Sequence, residues 1–92
     1  MAPIHSTHEV RATKGQRLAM RKMLRSLLGE IDFSRLCLGI EVSTLGEDAL
    51  KIFVPAGNCA ADIKLHHSDE FAVAAAYAFG RPFRTVNILP VH

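Results

Sequence analysis

Cysteine and histidine are the residue types in this sequence with the strongest intrinsic chemistry, as nucleophiles or metal ligands. Cys37 and Cys59 each lack a histidine nearby in the sequence, and two cysteines are too few for a disulfide scaffold. His5 and His8 have the spacing of two metal ligands on a helix, but no further ligand at nearby spacing completes a set of four. We therefore interpret the cysteines as small buried hydrophobes and expect no metal site.

Carboxylates and phosphate-binding loops, the other common carriers of catalysis, also form no recognisable set. Asp62, Asp69 and Glu70 resemble paired carboxylates, but their places near predicted helix starts already explain them. The sequence contains no Walker loop, no G-x-G-x-x-G and no G-x-S-x-G. A cysteine paired in the fold with His66 or His67 is the enzyme-like alternative that stays open. We expect no catalytic residue and no cofactor, and a chain that acts by binding.

Length and composition indicate one small domain. The chain has 92 residues, of which 49% are hydrophobic and 22% are charged, an ordinary composition for a globular protein. No apolar run reaches the length of a membrane span, and residues 1–5 lack the basic and then apolar order of a signal peptide. We expect a cytoplasmic protein that makes no membrane contact.

A helix with one basic face is predicted from Lys14 to Glu30, where apolar residues recur at i, i+3, i+4 and i+7. Thr13 is placed to cap its start and Gly29 to end it. The basic face carries Arg17, Arg21, Lys22 and Arg25. It is either a contact for nucleic acid or an acidic protein, or a solvated face whose long stems cover apolar surface. No aromatic residue is interleaved for base stacking, which counts against nucleic acid.

The clearest signal is a β-hairpin. Leu50, Ile52 and Val54 alternate with Ala49, Lys51 and Phe53, which is the period of a half-buried strand. Gly46 lies in the turn before them, and Pro55 ends the strand because it has no N–H to donate. A hairpin alone is unstable in water, so helices must cover its apolar face.

The remaining elements complete an α+β fold with a three-stranded sheet and helices against one face. We expect residues 1–13 to be a flexible arm, and residues 14–92 to be the folded domain. Asp32 is expected to cap a short helix, and Asn58 to cap a helical segment over residues 59–79. Whether that segment is one helix, or two helices with a fresh N-cap at Ser68, is open. The predicted core residues are Leu24, Leu27, Leu50, Ile52, Val54, Phe79 and Val86.

Two parts of this pattern resemble the N-terminal domain, domain I, of the bacterial replication initiator DnaA. They are Asp32-Phe33-Ser34 and Leu50-Lys51-Ile52-Phe53-Val54-Pro55. The resemblance covers roughly residues 14–90. It implies a K-homology-like ααββαβ fold and a non-catalytic module that binds DnaA, a DnaA regulator or the replicative helicase. A helicase-loader family with a similar hairpin, helix and strand is a related alternative.

The resemblance also implies contact residues. In domain I the acidic residue before the Phe and an aromatic after the Pro contact the helicase, and these positions hold Asp32 and Asn58 here. An aromatic on the first helix supports self-association, and Leu18 stands at that position, so a homodimer is implied. The predicted partner-binding residues are Asp32, Phe33, Asn58, Leu18 and Arg21. The sequence ends at His92 without an ATPase module or helix-turn-helix, so we expect either an excised domain or a stand-alone relative. The loose arm and compact end favour the stand-alone relative, which would compete with DnaA or bridge it to another regulator.

The alternative function is K-homology-like binding of single-stranded nucleic acid. That module clamps the backbone with a Gly-x-x-Gly loop, and no such spacing occurs here. We therefore expect at most weak binding of single-stranded DNA, through Arg17, Arg21, Lys22 and Arg25.

Overall fold

The order of elements is strand, two helices, two strands, two helices and a strand in the computed structural model, which describes residues 9–90. In chain order they are β1 (Glu9–Arg11), α1 (Lys14–Leu28), α2 (Glu30–Leu36), β2 (Glu41–Leu45), β3 (Ala49–Val54), α3 (Gly57–His66), α4 (Ser68–Phe79) and β4 (Thr85–Pro90).

The four strands form one mixed sheet in the order β1-β2-β3-β4. The first three strands run antiparallel, with Glu41 opposite Phe53 and Leu45 opposite Ala49 in the hairpin, and β4 runs parallel to β3. The α+β class and the hairpin are confirmed. The three-stranded ααββαβ order is not matched, because an edge strand precedes the helices and two helices, rather than one, follow the hairpin.

The extra strand corrects the predicted extent of the flexible arm. Glu9–Arg11 pair with β2, and the Ala12 amide donates to the Val42 carbonyl at 2.9 Å. Thr13 then caps α1: its Oγ1 accepts from the Gln16 amide, and the Gln16 side chain accepts from the Thr13 amide. Three residues are too short a stretch to give a strand period, so only the pairing with β2 defines β1. The rest of the predicted arm, residues 1–8 with His5 and His8, lies outside the described residues.

Gly29 joins α1 to α2 without a loop. Its φ of 87° breaks α1 after Leu28, a backbone conformation that glycine adopts at little cost. The Gly29 carbonyl then accepts the Phe33 amide at 2.9 Å, so α2 starts at once with Glu30. Asp32 is therefore inside the first turn of α2, and the prediction that it caps the helix is wrong.

The segment after β3 contains two helices, which answers the question that the sequence left open. The break falls at His67, and Ser68 is the first residue of α4, with its hydroxyl donating to the Lys64 carbonyl at 2.7 Å. Helix α3 begins at Gly57 with Ala56 at its N-cap position and no side-chain cap, so the predicted caps at Asn58 and Ser68 are both wrong. Gly80 ends α4 in the left-handed conformation, as predicted.

The core lies between the helices and one face of the sheet. Leu50, Ile52 and Val54 of β3 are buried, and Leu24 of α1 meets them in the same cluster, as predicted. Phe79 and Val86 pack against the cluster while partly exposed. Leu27 is 42% exposed, so its prediction as a core residue is wrong. On α1 the core line is held by Met20 and Leu24, which are one turn apart, while α2 and α4 supply Phe33, Leu36, Phe71, Ala74 and Ala75.

Candidate functional site

One side of α1 carries an exposed stripe of cations with a single leucine among them. Lys14, Leu18, Arg21 and Arg25 follow the spacing i, i+4, i+7 and i+11, which places them along one side of a helix. Leu18 is 57% exposed, although a large apolar side chain gains free energy from burial. We call the set the α1 stripe; its members are Lys14, Arg17, Leu18, Arg21, Lys22 and Arg25, all exposed.

The stripe borders a groove between α1 and the segment that leads into β2. The groove has a volume of about 300 Å³, at the small end of the range for ligand pockets, about 300–1,000 Å³. Its rim is basic and its floor is apolar. The lining residues are Lys14, Arg17, Leu18, Met20, Arg21, Cys37, Gly39, Ile40 and Val42. We call it the α1–β2 groove.

Gly39 gives this groove its shape at the turn before β2. Its φ is 75°, and a Cβ added there would lie 3.1 Å from Cγ of Pro55. A larger residue would therefore strain the backbone and press on the proline that ends β3. The turn lets the chain pass closely under α1 and brings Ile40 to the groove floor.

Arg17 is held at the groove by the backbone that precedes α1. Its Nη1 donates to the Ala12 carbonyl at 2.9 Å, and Ala12 is itself tied to Val42 of β2. The residue that directly follows β1 therefore holds one cation of the predicted basic face.

A second hollow lies beside the first, between the stripe and α2. It is lined by Leu18, Arg21, Lys22, Arg25 and Phe33. Phe33 is only 2% exposed, and the guanidinium carbons of Arg25 and Arg21 lie 4.8 and 5.7 Å from its ring centroid. Phe33, one of the predicted partner-binding residues, thus lines this hollow from beneath the stripe, with its ring largely covered by Arg25.

Charge on the stripe is largely uncompensated. Lys14, Arg21 and Lys22 form no ion pair among residues 9–90. Arg25 pairs with Glu30 at 3.5 Å, where both side chains are well exposed, and such surface pairs are weak. An incoming anion therefore meets at least three cations that have no competing carboxylate partner.

Cys37, the cysteine of the groove, has an unreactive thiol. Cys37 is buried, and burial raises the pKa of its thiol to about 11, against a small opposing effect of the charge on Arg21. The thiol is protonated at neutral pH, whereas the thiolate is the reactive form. Cys59 is half-buried and its thiol faces the Arg35 carbonyl at 3.7 Å, so the two cysteines are free rather than joined. Within residues 9–90, no three His, Cys, Asp or Glu side chains are grouped as a metal site would require.

The other predicted contact residues, Asp32 and Asn58, lie where α2 approaches α3. Arg35 of α2 donates to Asp32 at 3.2 Å and, across the helix pair, to Asp62 at 2.8 Å. Asn58 is exposed, one helical turn before Asp62 on α3. The hydrogen bond from Arg35 lowers the pKa of Asp62, and the two carboxylates raise the pKa of Arg35. Arg35 therefore links the helices that carry Asp32 and Asn58.

Sequence reasoning named part of this surface and missed the rest. The predicted basic face did not include Lys14, although its spacing to Leu18 and Arg21 places it on the same side of the helix. The groove floor could not be predicted from the sequence, because Met20 and Ile40 are far apart in the chain and line the same groove only in the folded protein. The contact of Arg35 with Asp62 was not predicted, because the two residues are 27 apart in the sequence. The i, i+3 spacing of Asp32 and Arg35 could have indicated part of that cluster.

Comparison of the chain with protein-family models, with curated proteins and with solved structures found no match in any of the three. The resemblance to domain I therefore stays a prediction from the quoted residues. None of the helices in residues 9–90 is long and apolar enough to cross a membrane.

Proposed function

We propose that this chain is a non-catalytic interaction module of bacterial replication initiation, which binds DnaA, a DnaA regulator or the replicative helicase in the cytoplasm. The observation that carries the proposal is Leu18, an exposed apolar side chain that borders both hollows and stands among cations without ion pairs. Protein interfaces are built in this way, with an apolar anchor and arginines around it. The class of partner comes from the domain I resemblance alone.

The same resemblance gives the finer description of the fold. We regard the chain as a K-homology-like arrangement that has gained β1 and in which the helix after the hairpin is divided at His67. The hairpin, the following helices and the last strand support this description, since β4 returns parallel to β3.

Two further contacts belong to the proposal. Asp32 and Asn58 form a second patch on the α2–α3 side, where Arg35 connects the two helices. Leu18 also provides a surface for self-association, because a leucine on one copy can pack against the same leucine on another around a twofold axis.

A direct binding experiment separates the α1 stripe from other exposed residues. Purified DnaA, its regulators and the replicative helicase are each measured by biolayer interferometry against the parent chain and two double variants. Leu18→Ser with Arg21→Ser removes the proposed anchor and one cation. Lys64→Ser with Leu65→Ser is the matched control on α3, where both side chains are also exposed.

We expect one of these proteins to bind the parent chain. The stripe variant should bind it about tenfold more weakly, which corresponds to a loss of roughly 1.4 kcal/mol of binding free energy. The control variant should bind as the parent does. Equal binding by both variants would remove the stripe from the interface. Failure of every replication protein to bind the parent would overturn the replication assignment.

Single-stranded nucleic acid is the second candidate, favoured by the uncompensated charge of the stripe. Since Phe33 is buried beneath Arg25, the α1 stripe offers bases no free aromatic face to stack on. Contacts would then be limited to phosphates, whose affinity falls steeply between about 50 and 200 mM salt. Sub-micromolar binding of an oligonucleotide that survives about 200 mM salt would favour this candidate over the protein partner.

A further inference from the structure

The α1–β2 groove combines an apolar floor with a cationic wall, so a ligand that is only charged or only apolar would use half of it. Its floor is made by Met20, Cys37, Ile40 and Val42, which are buried or half-buried apolar side chains. Lys14, Arg17 and Arg21 stand along its α1 wall. A small inorganic anion would leave the apolar floor uncovered. A purely apolar ligand would remove water from the cations without supplying a new polar partner, which costs free energy.

We infer that the groove binds a short acidic peptide segment of the partner, with one bulky apolar side chain inserted between α1 and β2. The inference rests on the proposed function in that it uses the same stripe, and it goes further by giving the chemistry of the segment. Carboxylates on either side of the inserted residue face Lys14 and Arg21, neither of which has an ion-pair partner in residues 9–90. Charge complementarity of this kind selects the partner and its orientation.

The apolar floor favours an aliphatic or aromatic side chain over a nucleobase. None of the four floor residues is aromatic, whereas bases bind single-strand proteins by stacking on aromatic rings. Met20 adapts its shape easily, because methionine is unbranched and polarizable. The protonated thiol of Cys37 adds no negative charge that would repel the peptide.

Arg17 and Leu18 define how the segment enters. The Arg17 side chain is already held by the Ala12 carbonyl at 2.9 Å, so binding a carboxylate there requires little additional ordering. Leu18 lies between the groove and the second hollow. It can therefore cover the inserted side chain on the side that faces solvent.

The probe for the test is the peptide acetyl-Glu-Glu-Phe-Glu-Glu-amide, titrated into the full-length chain by calorimetry at low salt. One control peptide has Ala in place of Phe, and a second has Gln in place of each Glu. Carbon-13 labelling of the methionine methyl groups supplies a readout of location. Met20 lies on the groove floor, and Met23 of the same helix lies outside it and serves as the internal reference.

We expect the probe to bind and to shift the Met20 methyl signal without shifting that of Met23. Both control peptides should bind more weakly. Lys14→Gln with Arg21→Gln should weaken binding about tenfold, the loss of up to about 1 kcal/mol from each of two exposed charge contacts. Lys64→Gln with Arg84→Gln removes equal charge at exposed residues outside the α1 stripe and should leave the affinity within about twofold of the parent.

Three results would overturn the inference. They are no binding of the probe by the folded parent, binding that does not move the Met20 signal, and equal binding of the Phe and Ala peptides. Preferential binding of oligo-thymidylate in the groove would assign it to nucleic acid instead. Since no replication protein enters this experiment, its failure leaves the proposed partner class to be judged by its own test, and success here would not establish that class.

Discussion

The guanidinium of Arg25 lies over the ring of Phe33, with its central carbon 4.8 Å from the ring centroid. This contact joins α1 to α2 across the one-residue junction at Gly29. Arg25 therefore contributes to the charged surface and also stabilises the fold, because its stem and charge cover a ring that lines the second hollow.

The first prediction concerns Phe33 as a buried support. Phe33→Ala should lower the free energy of unfolding by about 3–5 kcal/mol, since a large buried ring is removed. Arg25→Ala should cost only about 0.5–1 kcal/mol, the size of an exposed cation–π contact. Urea denaturation measures both, and a Phe33→Ala chain as stable as the parent would place the ring outside the core.

The second prediction contrasts two leucines of α1. Leu24→Ala should cost about 2–5 kcal/mol, because Leu24 is fully buried. Leu27→Ala should cost clearly less, because that side chain keeps much of its solvent contact in the folded state. Thermal and urea unfolding of the two variants measure the difference. Equal losses in the free energy of unfolding would show that Leu27 is a core residue after all.

The third prediction tests the ordered segment before α1. Thr13→Ala removes the side-chain cap of α1 and should cost about 0.5–2 kcal/mol, while Thr13→Ser keeps the hydroxyl and should cost much less. Hydrogen exchange gives an independent measure, since the Ala12 amide should exchange slowly owing to its bond to Val42. Rapid exchange at Ala12 would show that the predicted arm does extend through residue 13.

The fourth prediction is a dependence of stability on pH at the Arg35 cluster. The pKa of Asp62 is lowered in the folded chain, chiefly by the hydrogen bond from Arg35. A lowered pKa stabilises the fold above the unfolded value near 3.8, and that contribution disappears as the pH falls through the folded pKa. Asp62→Asn should therefore be less stable than the parent at neutral pH.

The difference between Asp62→Asn and the parent should shrink as the medium becomes acidic, because both chains then have an uncharged side chain at residue 62. Asp69→Asn is the control, as this exposed residue of α4 forms no ion pair in the described chain. Melting curves across the acid range test the effect. A constant gap between parent and Asp62→Asn at every pH would show that the Arg35 bond contributes nothing.

Local patterns predicted the elements that carry a long period or a strong stop signal. The basic helix, the hairpin with its turn at Gly46, and the end of α4 at Gly80 are all found in the structure. These features depend on residues that are close in sequence, so a single chain suffices to indicate them.

Features that depend on tertiary pairing were beyond the sequence. Strand β1 exists because Val10 and its neighbours meet β2, and the helix start at Glu30 depends on the φ of Gly29. Leu27 fits the apolar period of α1 but lies at the edge of its apolar face. The packing of α2 and α4 decides which apolar residues of α1 reach the core.

The sequence predicted most of the charged residues of the candidate site but not the groove that they border. Leu18 and Arg21 are on the surface, as expected. The burial of Phe33 beneath Arg25 could not be predicted, because a motif does not reveal whether a ring points outward. The groove is formed by side chains from α1, the turn at Gly39 and β2, so no local spacing could indicate it.

The most direct test of the central claim is an amide NMR map of the nitrogen-15-labelled chain titrated with whichever purified replication-initiation protein binds it. We predict that the largest changes fall along α1, at Lys14, Leu18, Arg21 and Lys22, and at Gly39 and Ile40 across the groove. Changes confined to residues remote from the α1 stripe, such as those of α4, would contradict the account.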